Sequence, residues 1–243
     1  MLQSNLEGEP RSLPLQKFSG DFRMNDLYEI TEARMHVYNL LRRIYAAGPT
    51  LEFTSNLGNA MLEYLSDVES IREGSRMVSM ACREVRNEKD LDDLHVEFAR
   101  LFLFGKMPAP PYESVYQGEG GCLMGEPAIA VRREYLKEGL QVERLYSEPD
   151  DHIAIEFEFM AFLCNKALSA LKNQDNNEAD KLMKKQKDFM EMHIAKWVPS
   201  FCDSVLNATK GRFYGGIALF TKSFVIEDSG FLIELYDMSE VKN

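Results

Sequence analysis

The feature that most constrains the fold is an apolar repeat with helical spacing, which runs through nearly all of the chain. Apolar residues recur at steps of three, four and seven, which places their side chains on one face of an α-helix. The first such run comprises Leu27, Ile30, Val37, Leu41, Ile44 and Tyr45. We find no hairpin dipeptide, no sustained alternation with a period of two and no internal repeat of fixed length. The pattern predicts an all-α fold, a single globular domain of about nine or ten helices.

Proline and glycine predict where several of these helices begin and end. Gly48-Pro49 ends the first helix, and Glu126-Pro127 opens another that Gly139 closes. Pro199 predicts the end of the helix that contains Trp197. Shorter helices are predicted near residues 201–206, 213–224 and 231–236.

Two segments stand apart from the helical pattern. Residues 1–25 are rich in Gly, Pro and Ser with little periodicity, which predicts a flexible N-terminal arm before a helical domain at 26–243. Residues 105–125 contain three prolines and five glycines, which predicts a long loop. Loops of this length inside a compact domain are uncommon and are often functional.

The charge balance narrows the classes of partner. The sequence carries 28 Lys and Arg against 39 Asp and Glu, a formal net charge of −11. A nucleic-acid-binding protein needs a basic surface, so this balance argues against that class and favours cationic partners. The longest stretch without a charged residue, 53–62, is about half of the ~20 apolar residues that span a bilayer. The N-terminus has acids and prolines where a secretory signal needs an apolar run. We therefore expect a cytoplasmic protein with no nucleic-acid partner and no membrane insertion.

The cysteines point to the same compartment. Cys82, Cys122, Cys164 and Cys202 each lie about forty residues from the next, with no Cys-x-x-Cys pair. This spacing argues against a disulfide scaffold and against a zinc ribbon. We therefore predict buried free thiols in a reducing environment.

The most distinctive polar element is the run EPDDH at 148–152, just before the most apolar helix of the chain. One interpretation is structural: Asp150 or Asp151 caps that helix, and His152 bonds to a carboxylate. A second is a binding loop that presents carboxylates to a cation. A third is a metal site, because His152 and Glu156 lie one helical turn apart, although hard metals need more ligands than the sequence places here.

A second distinctive segment is PPYESVY at 110–116. Its two prolines stiffen the backbone, and its two tyrosines beside a Glu-Ser pair can form an amphipathic platform. The alternative is that both tyrosines simply cover the core. The glycines that follow, at 118, 120, 121 and 125, come after no convincing strand and match no P-loop. They favour a flexible loop over a nucleotide site.

These elements occur together in an order that resembles the TorD family, the cytoplasmic chaperones of molybdoenzyme maturation, also called redox enzyme maturation proteins. The similar elements are FARLFLFG, then PPYESVY, then a helix ending EYLKEGL, then EPDDHIAIEFEFMAFL. The resemblance covers roughly residues 91–171 in order and spacing. Tyr112 stands where many family members carry Trp, which preserves an aromatic ring at that position.

The resemblance implies two helical subregions joined near the EPDDH link, in a monomer or a domain-swapped dimer. It implies a chaperone without catalysis that binds the twin-arginine leader of a molybdopterin-containing oxidoreductase catalytic subunit of the dimethyl sulfoxide reductase type. The chaperone would assist cofactor loading, assembly and proofreading before export. Guanine-nucleotide binding and contact with the molybdenum cofactor have been proposed for the family. This chain carries an independent motif for neither, so we predict no cofactor and no metal.

Carried over by position, the leader-binding residues of the family fall on two groups. They are Phe98, Leu101, Phe102, Pro111, Tyr112, Ser114 and Tyr116, followed by Pro149, Asp151 and His152. A leader with two arginines and an apolar stretch needs carboxylates beside an apolar groove, so Glu148, Asp150 and Asp151 are candidate partners for guanidinium groups. The aromatic and aliphatic residues would hold the apolar part as a helix in a groove.

Two other classes of function remain open at this point. The chain could be a nucleotide- or metal-dependent hydrolase that uses the Gly-rich loop and the EPDDH carboxylates. It could also be a helical adaptor for an unrelated protein. Bound metal or turnover would indicate the first, and absence of leader binding would indicate the second.

Overall fold

The chain folds into helices almost everywhere that the apolar repeat predicts them. The computed structural model describes residues 24–63, 68–103, 105–118, 120, 123–142 and 149–240. These residues form ten α-helices and a π-helical turn, and their only β-structure is one isolated bridge. The predicted all-α class is therefore confirmed. The helices are α1 (Met24–Ala46), α2 (Leu51–Glu63), α3 (Glu69–Glu84), α4 (Glu88–Phe102), α5 (Glu113–Gln117), α6 (Glu126–Lys137), α7 (Ile153–Lys172), α8 (Asn176–Phe189), α9 (Ala195–Ala208) and α10 (Arg212–Glu240), with the π turn at Met190–Ile194.

Local sequence signals account for several helix ends. The Asn87 side chain accepts hydrogen bonds from the backbone N–H of Lys89 and Asp90, which caps α4. The Asp175 side chain caps α8 in the same way. Gly139 ends α6 with a φ of +73°, a left-handed conformation that glycine adopts without steric cost.

Helix α7 is the centre of the bundle. It packs against α1 and α8, while α10 packs against α3 and α9. Phe157 and Phe159 lie on nearly opposite sides of α7, about 200° apart around its axis, and both are buried. Because apolar residues occupy most of the circumference of this helix, the sequence predicted its central position correctly. The described core residues from all of these helices form one contiguous hydrophobic cluster.

A buried polar network ties α1 to α10 and α8. Arg34 donates to both carboxylate oxygens of Asp228, and the Tyr38 hydroxyl donates to the same carboxylate. The second side of the guanidinium donates to Gln186 Oε1 at 2.6 Å. Burial alone lowers the pKa of Arg34, but the charge and hydrogen bond of Asp228, together with Cys164 and Tyr38, raise the pKa above its ordinary value. Arg34 is therefore a charged group inside the core, paired with a carboxylate.

Two predicted helix boundaries are wrong. Helix α9 continues through Pro199, which was expected to end the preceding helix. A π turn, which has a wider hydrogen-bond pattern than an α-helix, directly precedes α9. Helix α10 is continuous where two shorter helices were predicted, and Gly230 lies within it. Packing of its apolar face against α3 and α9 overrides the low helix propensity of that glycine.

Several other expectations meet the structure only in part. Residues 1–23, which carry most of the predicted arm, and Glu148 in the predicted link lie outside the described residues. Cys82, Cys164 and Cys202 are buried free thiols, as predicted, and Cys122 lies outside the described residues. Burial raises the pKa of Cys82 and of Cys164 to about 12. Among the helices that the structure describes, none combines the length and apolar composition needed to cross a bilayer.

Candidate functional site

The two distinctive segments of the sequence meet in space. Tyr112 and His152 form an isolated antiparallel β-bridge. On either side of it, the Ile153 N–H donates to the Pro111 carbonyl at 2.9 Å, and the Glu113 N–H donates to the Asp151 carbonyl at 3.1 Å. We call the paired residues 111–116 and 149–153 the junction. It brings together seven of the predicted leader-binding residues.

Asp151 holds the junction together through its side chain as well as its backbone. Its Oδ2 accepts a hydrogen bond from the Ser114 N–H at 2.7 Å. This is a cap for the first turn of α5, provided from 37 residues away in the chain. The cap explains why a helix forms inside the segment 105–125 that the sequence predicts as a loop. The same hydrogen bond gives the completely buried Asp151 carboxylate a donor.

His152, and neither Asp150 nor Asp151, caps the central helix. Its Nδ1 accepts a hydrogen bond from the Ala154 N–H at 3.1 Å, which corrects the prediction of an aspartate cap. Burial lowers the pKa of His152 to about 4. The imidazole is therefore neutral near pH 7, with its proton on Nε2 because Nδ1 is the acceptor. Its ring contacts Tyr112 edge to face, with 5.2 Å between the ring centroids.

Asp150 is paired with an arginine of this same chain. Arg132 of α6 donates to Asp150 Oδ2 through Nε at 2.9 Å and through a terminal nitrogen at 2.5 Å. The Tyr135 hydroxyl donates to the Asp150 carbonyl at 3.1 Å. Asp150 and Asp151 thus each already accept a hydrogen bond within this chain, and a cation that binds Asp150 Oδ2 would have to displace Arg132.

Two further carboxylates are buried here, Glu113 within the junction and Glu156 near it on α7. Glu113 Oε2 is 2.9 Å from His193 Nδ1, and Glu156 Oε2 accepts a hydrogen bond from Trp197 Nε1 at 3.1 Å. Burial, together with the charges of Glu113 and Asp151, raises the pKa of Glu156 well above its ordinary value. Burial and the two neighbouring carboxylates therefore favour the protonated form of Glu156.

The alternative metal site is not supported by this arrangement. His152 Nδ1 is used as a helix cap, and Glu156 faces the Trp197 indole. Within the described part of the chain, no group of three or more His, Cys, Asp or Glu residues is placed to hold a metal ion. Ser114 Oγ, Asp151 Oδ1 and Glu156 Oε1 are buried and have no hydrogen-bond partner among the described residues.

The aromatic residues carried over from α4 belong to the core. Phe98, Leu101 and Phe102 are at most 5% exposed. Phe102 contacts Phe201 with 5.9 Å between ring centroids, and Phe201 in turn contacts Tyr116. These residues therefore lie behind the junction and support it from inside.

The predicted site residues thus divide by exposure. Tyr112, Tyr116 and Pro149 are half-buried and reach the surface. The buried members are Phe98, Leu101, Phe102, Pro111, Ser114, Asp151 and His152. Sequence reasoning missed Arg132, His193 and Trp197 as partners of the buried carboxylates here. Each is remote from the EPDDH run in the sequence, so no local spacing could have indicated the pairing.

Comparison with known proteins identifies the class. A family model described as nitrate reductase delta subunit matches residues 62–203. The chaperone protein TorD of Vibrio cholerae is 27% identical over 219 residues, which cover 88% of this chain and 98% of that protein. The TorD of Photobacterium profundum is 28% identical over 216 residues, covering 86% and 99%. A crystal structure of a putative redox enzyme maturation protein from Archaeoglobus fulgidus aligns with a TM-score of 0.47 at 19% identity, over 86% of this chain and 98% of that one.

The family model covers more than half of the chain, so the chain belongs to the nitrate reductase delta subunit family. The two relatives are named as chaperones, which confirms the TorD resemblance that the sequence motifs predicted. They also place the chain in a chaperone family and not in a class of enzymes, which argues against the hydrolase alternative.

Proposed function

We propose that this protein is a cytoplasmic chaperone that binds the twin-arginine leader of a molybdopterin-containing oxidoreductase catalytic subunit of the dimethyl sulfoxide reductase type. It would assist cofactor loading, assembly and proofreading of that subunit before export. The observation that carries the proposal is the junction, where the two motifs of the family resemblance pair through their backbones. The family membership supports the chaperone class, and the junction supports the place of binding.

The accessible residues of the junction suit an apolar segment of a peptide. Tyr112 and Tyr116 are half-buried aromatics beside Pro149, and the Tyr116 ring contacts Trp197 at 5.5 Å between centroids. Rigid aromatic side chains bury a large area with little loss of conformational entropy. The buried aromatics behind them fix their positions, so these side chains are ordered before a peptide arrives.

The charge of the chain favours a basic ligand. The formal net charge of −11 attracts a leader with two adjacent arginines over long distances. Salt screens this attraction with a Debye length of about 8 Å at physiological ionic strength. We therefore expect the association rate to fall as salt is added, while the dissociation rate changes less.

A direct test is titration of the purified protein with a synthetic twin-arginine leader peptide, followed by calorimetry. Tyr112→Ala and Tyr116→Ala should each weaken binding by about tenfold or more, as expected for aromatic anchors. Tyr28→Ala is a matched control, because Tyr28 is a half-buried tyrosine on α1, outside the junction. The same leader with both arginines replaced by glutamine should bind more weakly than the parent peptide. If Tyr112→Ala, Tyr116→Ala and Tyr28→Ala all bind the parent leader with the same affinity, the leader binds outside the junction.

The only tryptophan of the chain gives an independent readout. Trp197 is fully buried and contacts both Tyr116 and Glu156. Binding at the junction should therefore change its fluorescence intensity or emission wavelength. An unchanged spectrum under saturating leader would contradict contact with the Tyr116 face.

Substitutions at Asp151 and His152 are poor tests of leader binding, because both side chains also cap helices and their loss would affect folding. Asp151→Ala would remove the cap of α5 and leave the Ser114 N–H unpaired, at a cost of about 2 kcal/mol. Asp151→Asn retains an acceptor oxygen and is the milder change. Loss of leader binding by an alanine variant at either position would therefore need a folded control.

The client can be identified by affinity purification from anaerobically grown source cells, with bound proteins identified by mass spectrometry. Recovery of a molybdoenzyme catalytic subunit that still carries its twin-arginine leader would support the proposal. Recovery of only unrelated proteins from cells that express such an enzyme would favour a helical adaptor instead.

A further inference from the structure

The pair formed by Arg132 and Asp150 has the geometry of an occupied arginine-binding site. Two nitrogens of one guanidinium donate to Asp150 Oδ2, at 2.9 Å and 2.5 Å. The Tyr135 hydroxyl fixes the Asp150 backbone by donating to its carbonyl. The Asp150 carboxylate is thus fixed in position and binds a guanidinium that belongs to helix α6.

The exposure of the two partners differs in a way that matters for exchange. The Asp150 side chain is 4% exposed, whereas the Arg132 side chain is 36% exposed. Arg132 is therefore the partly solvent-facing partner of the pair, and the Asp150 carboxylate is shielded from water. Because the Asp150 carboxylate is buried, loss of Arg132 without a replacement would leave it uncompensated, whereas exchange for another guanidinium keeps the charge paired.

We propose that Arg132 occupies, in the free protein, the place that one guanidinium of the bound leader takes in the complex. The inference rests on the proposed function, because the leader is the ligand whose arginine would replace Arg132. Asp150 lies in the junction, next to Asp151, while Arg132 lies on α6. Arg132 can therefore leave without opening the backbone pairing of the junction. The internal arginine thus competes with the leader and sets the affinity of the site.

Such an exchange would also select arginine over lysine. A guanidinium presents several N–H donors in a planar fork, and a lysine ammonium is a compact point charge without that geometry. Replacing Arg132 requires a cation that can reproduce both of its hydrogen bonds to Asp150. A leader with two lysines would not replace the two hydrogen bonds that Asp150 loses when Arg132 leaves. Arg132 therefore competes more effectively against a twin-lysine leader than against a twin-arginine leader.

The test compares Arg132→Gln with Arg133→Gln in calorimetric titrations with a twin-arginine leader peptide. Arg133 is the next residue of α6, its side chain is 65% exposed, and its contact is with Glu126, away from Asp150. The two variants change the net charge equally, so their difference isolates the competition at Asp150. We expect Arg132→Gln to bind the leader about tenfold tighter than Arg133→Gln, since one strong charged contact is worth roughly that factor.

A second peptide and a second pair of variants keep the test decisive. Relative to the wild type, Arg132→Gln should gain more affinity for a twin-lysine leader than for the twin-arginine leader. The ratio of the two affinities, which measures the preference for arginine, should therefore be smaller in this variant. Asp150→Asn should weaken binding of the twin-arginine leader and reduce the same preference. If Arg132→Gln does not fold, Arg132→Lys retains the charge, loses the fork and should still bind the leader more tightly than the wild type.

The outcomes separate the two proposals. Leader binding by the wild type with equal affinities for Arg132→Gln and Arg133→Gln would overturn the exchange and leave the chaperone proposal standing. Weaker binding by Arg132→Gln than by Arg133→Gln would mean that Arg132 itself contacts the leader, which also overturns the exchange. Absence of binding in the wild type and in every variant would reject both proposals.

Discussion

The His193 imidazole and the Glu113 carboxylate lie 2.9 Å apart, although they are separated by 80 residues in the sequence. His193 belongs to the π turn between α8 and α9, and Glu113 begins α5. The pair therefore connects the helices before the EPDDH link with those after it, at the junction. Because π turns are rare and are found frequently at functional sites, the placement of His193 in one agrees with a site at this position.

The neutral state of His152 predicts how stability depends on pH. Burial lowers the pKa of His152 to about 4, below its unfolded value of about 6.5. A group with a lowered folded pKa contributes its full stability above the unfolded pKa. That contribution is lost as the pH falls from about 6.5 toward 4, by about 2–3 kcal/mol. His152→Asn retains a good helix cap but cannot titrate, so its stability should fall less over this range.

Urea denaturation at closely spaced pH values measures this effect. His36→Asn is the control, because His36 is an exposed histidine on α1 and its replacement should leave the pH profile of the wild type. A His152→Asn profile that is parallel to the wild type between pH 4 and 6.5 would contradict a buried neutral imidazole.

Glu156 should have the opposite pH dependence. Burial and the neighbouring carboxylates raise its pKa above the unfolded value of about 4.3, so its contribution to stability is complete below that value. The contribution is lost as the pH rises through the folded pKa, because the buried carboxyl must then ionise. Glu156→Gln can still accept from the Trp197 indole, and it has no charge to bury. Its stability relative to the wild type should therefore increase with rising pH.

The measurement is the free energy of unfolding of both proteins from pH 5 to pH 9. Glu158→Gln, on the exposed side of the same helix, should differ from the wild type by less than about 1 kcal/mol at every pH. A constant difference between Glu156→Gln and the wild type across the range would show that Glu156 ionises normally.

The buried pair of Arg34 and Asp228 predicts a strong non-additivity. Arg34→Met leaves the Asp228 carboxylate uncompensated in the core and should cost about 3–5 kcal/mol. Replacing both residues with apolar ones, as Arg34→Met with Asp228→Leu, should recover much of that loss, because no charge remains buried. Equilibrium denaturation of the two single variants and the double variant gives the coupling energy. Arg42→Met, which breaks a partly exposed pair with Glu158, should cost less than about 1 kcal/mol.

An additive result would contradict this account of the network. The sum of the two single losses would then equal the loss in the double variant. The contribution of this network to the free energy of unfolding would then come from the hydrogen bonds of Tyr38 and Gln186 to the two residues, and not from the ion pair.

Two glycines in helices predict opposite effects of the same substitution. A Cβ at Gly74 would lie 2.8 Å from the Gly216 carbonyl oxygen and 2.8 Å from the Phe220 nitrogen, both of which are backbone atoms of α10. Gly74→Ala should therefore push α3 and α10 apart and destabilise the protein by about 1–3 kcal/mol. A Cβ at Gly230 would meet no atom within 4 Å, so Gly230→Ala should stabilise α10 by about 0.5–1 kcal/mol. Thermal unfolding of both variants checks the two signs together.

The sequence located the helices well because helix formation and apolar periodicity are local. The first run, from Leu27 to Tyr45, lies within α1, and its predicted stop at Gly48-Pro49 follows the observed end at Ala46. The predictions failed where distant packing overrides a local signal. Pro199 and Gly230 are helix breakers by local criteria, yet both lie inside helices that bury an apolar face against neighbours.

The motifs of the candidate site were also visible in the sequence, but the roles of their residues were not. The family resemblance carried leader-binding residues onto both the PPYESVY and the EPDDH segments, and the β-bridge between Tyr112 and His152 joins those segments. The prediction that an aspartate caps α7 was wrong, because His152 takes that role and Asp151 caps α5 instead. Both choices satisfy the same local rule, so spacing alone could not decide between them.

The sequence by itself determined the all-α class, the central position of α7 and the two segments that form the junction, because each follows from residues near one another in the chain. The tertiary structure decided which buried carboxylate meets which donor. Asp150 pairs with Arg132, Glu113 with His193 and Glu156 with Trp197. These pairs span 18, 80 and 41 residues, and contacts at such separations leave no periodic pattern in the sequence. A buried polar group must find a partner in the folded protein, but only the packing of helices determines which partner lies within reach.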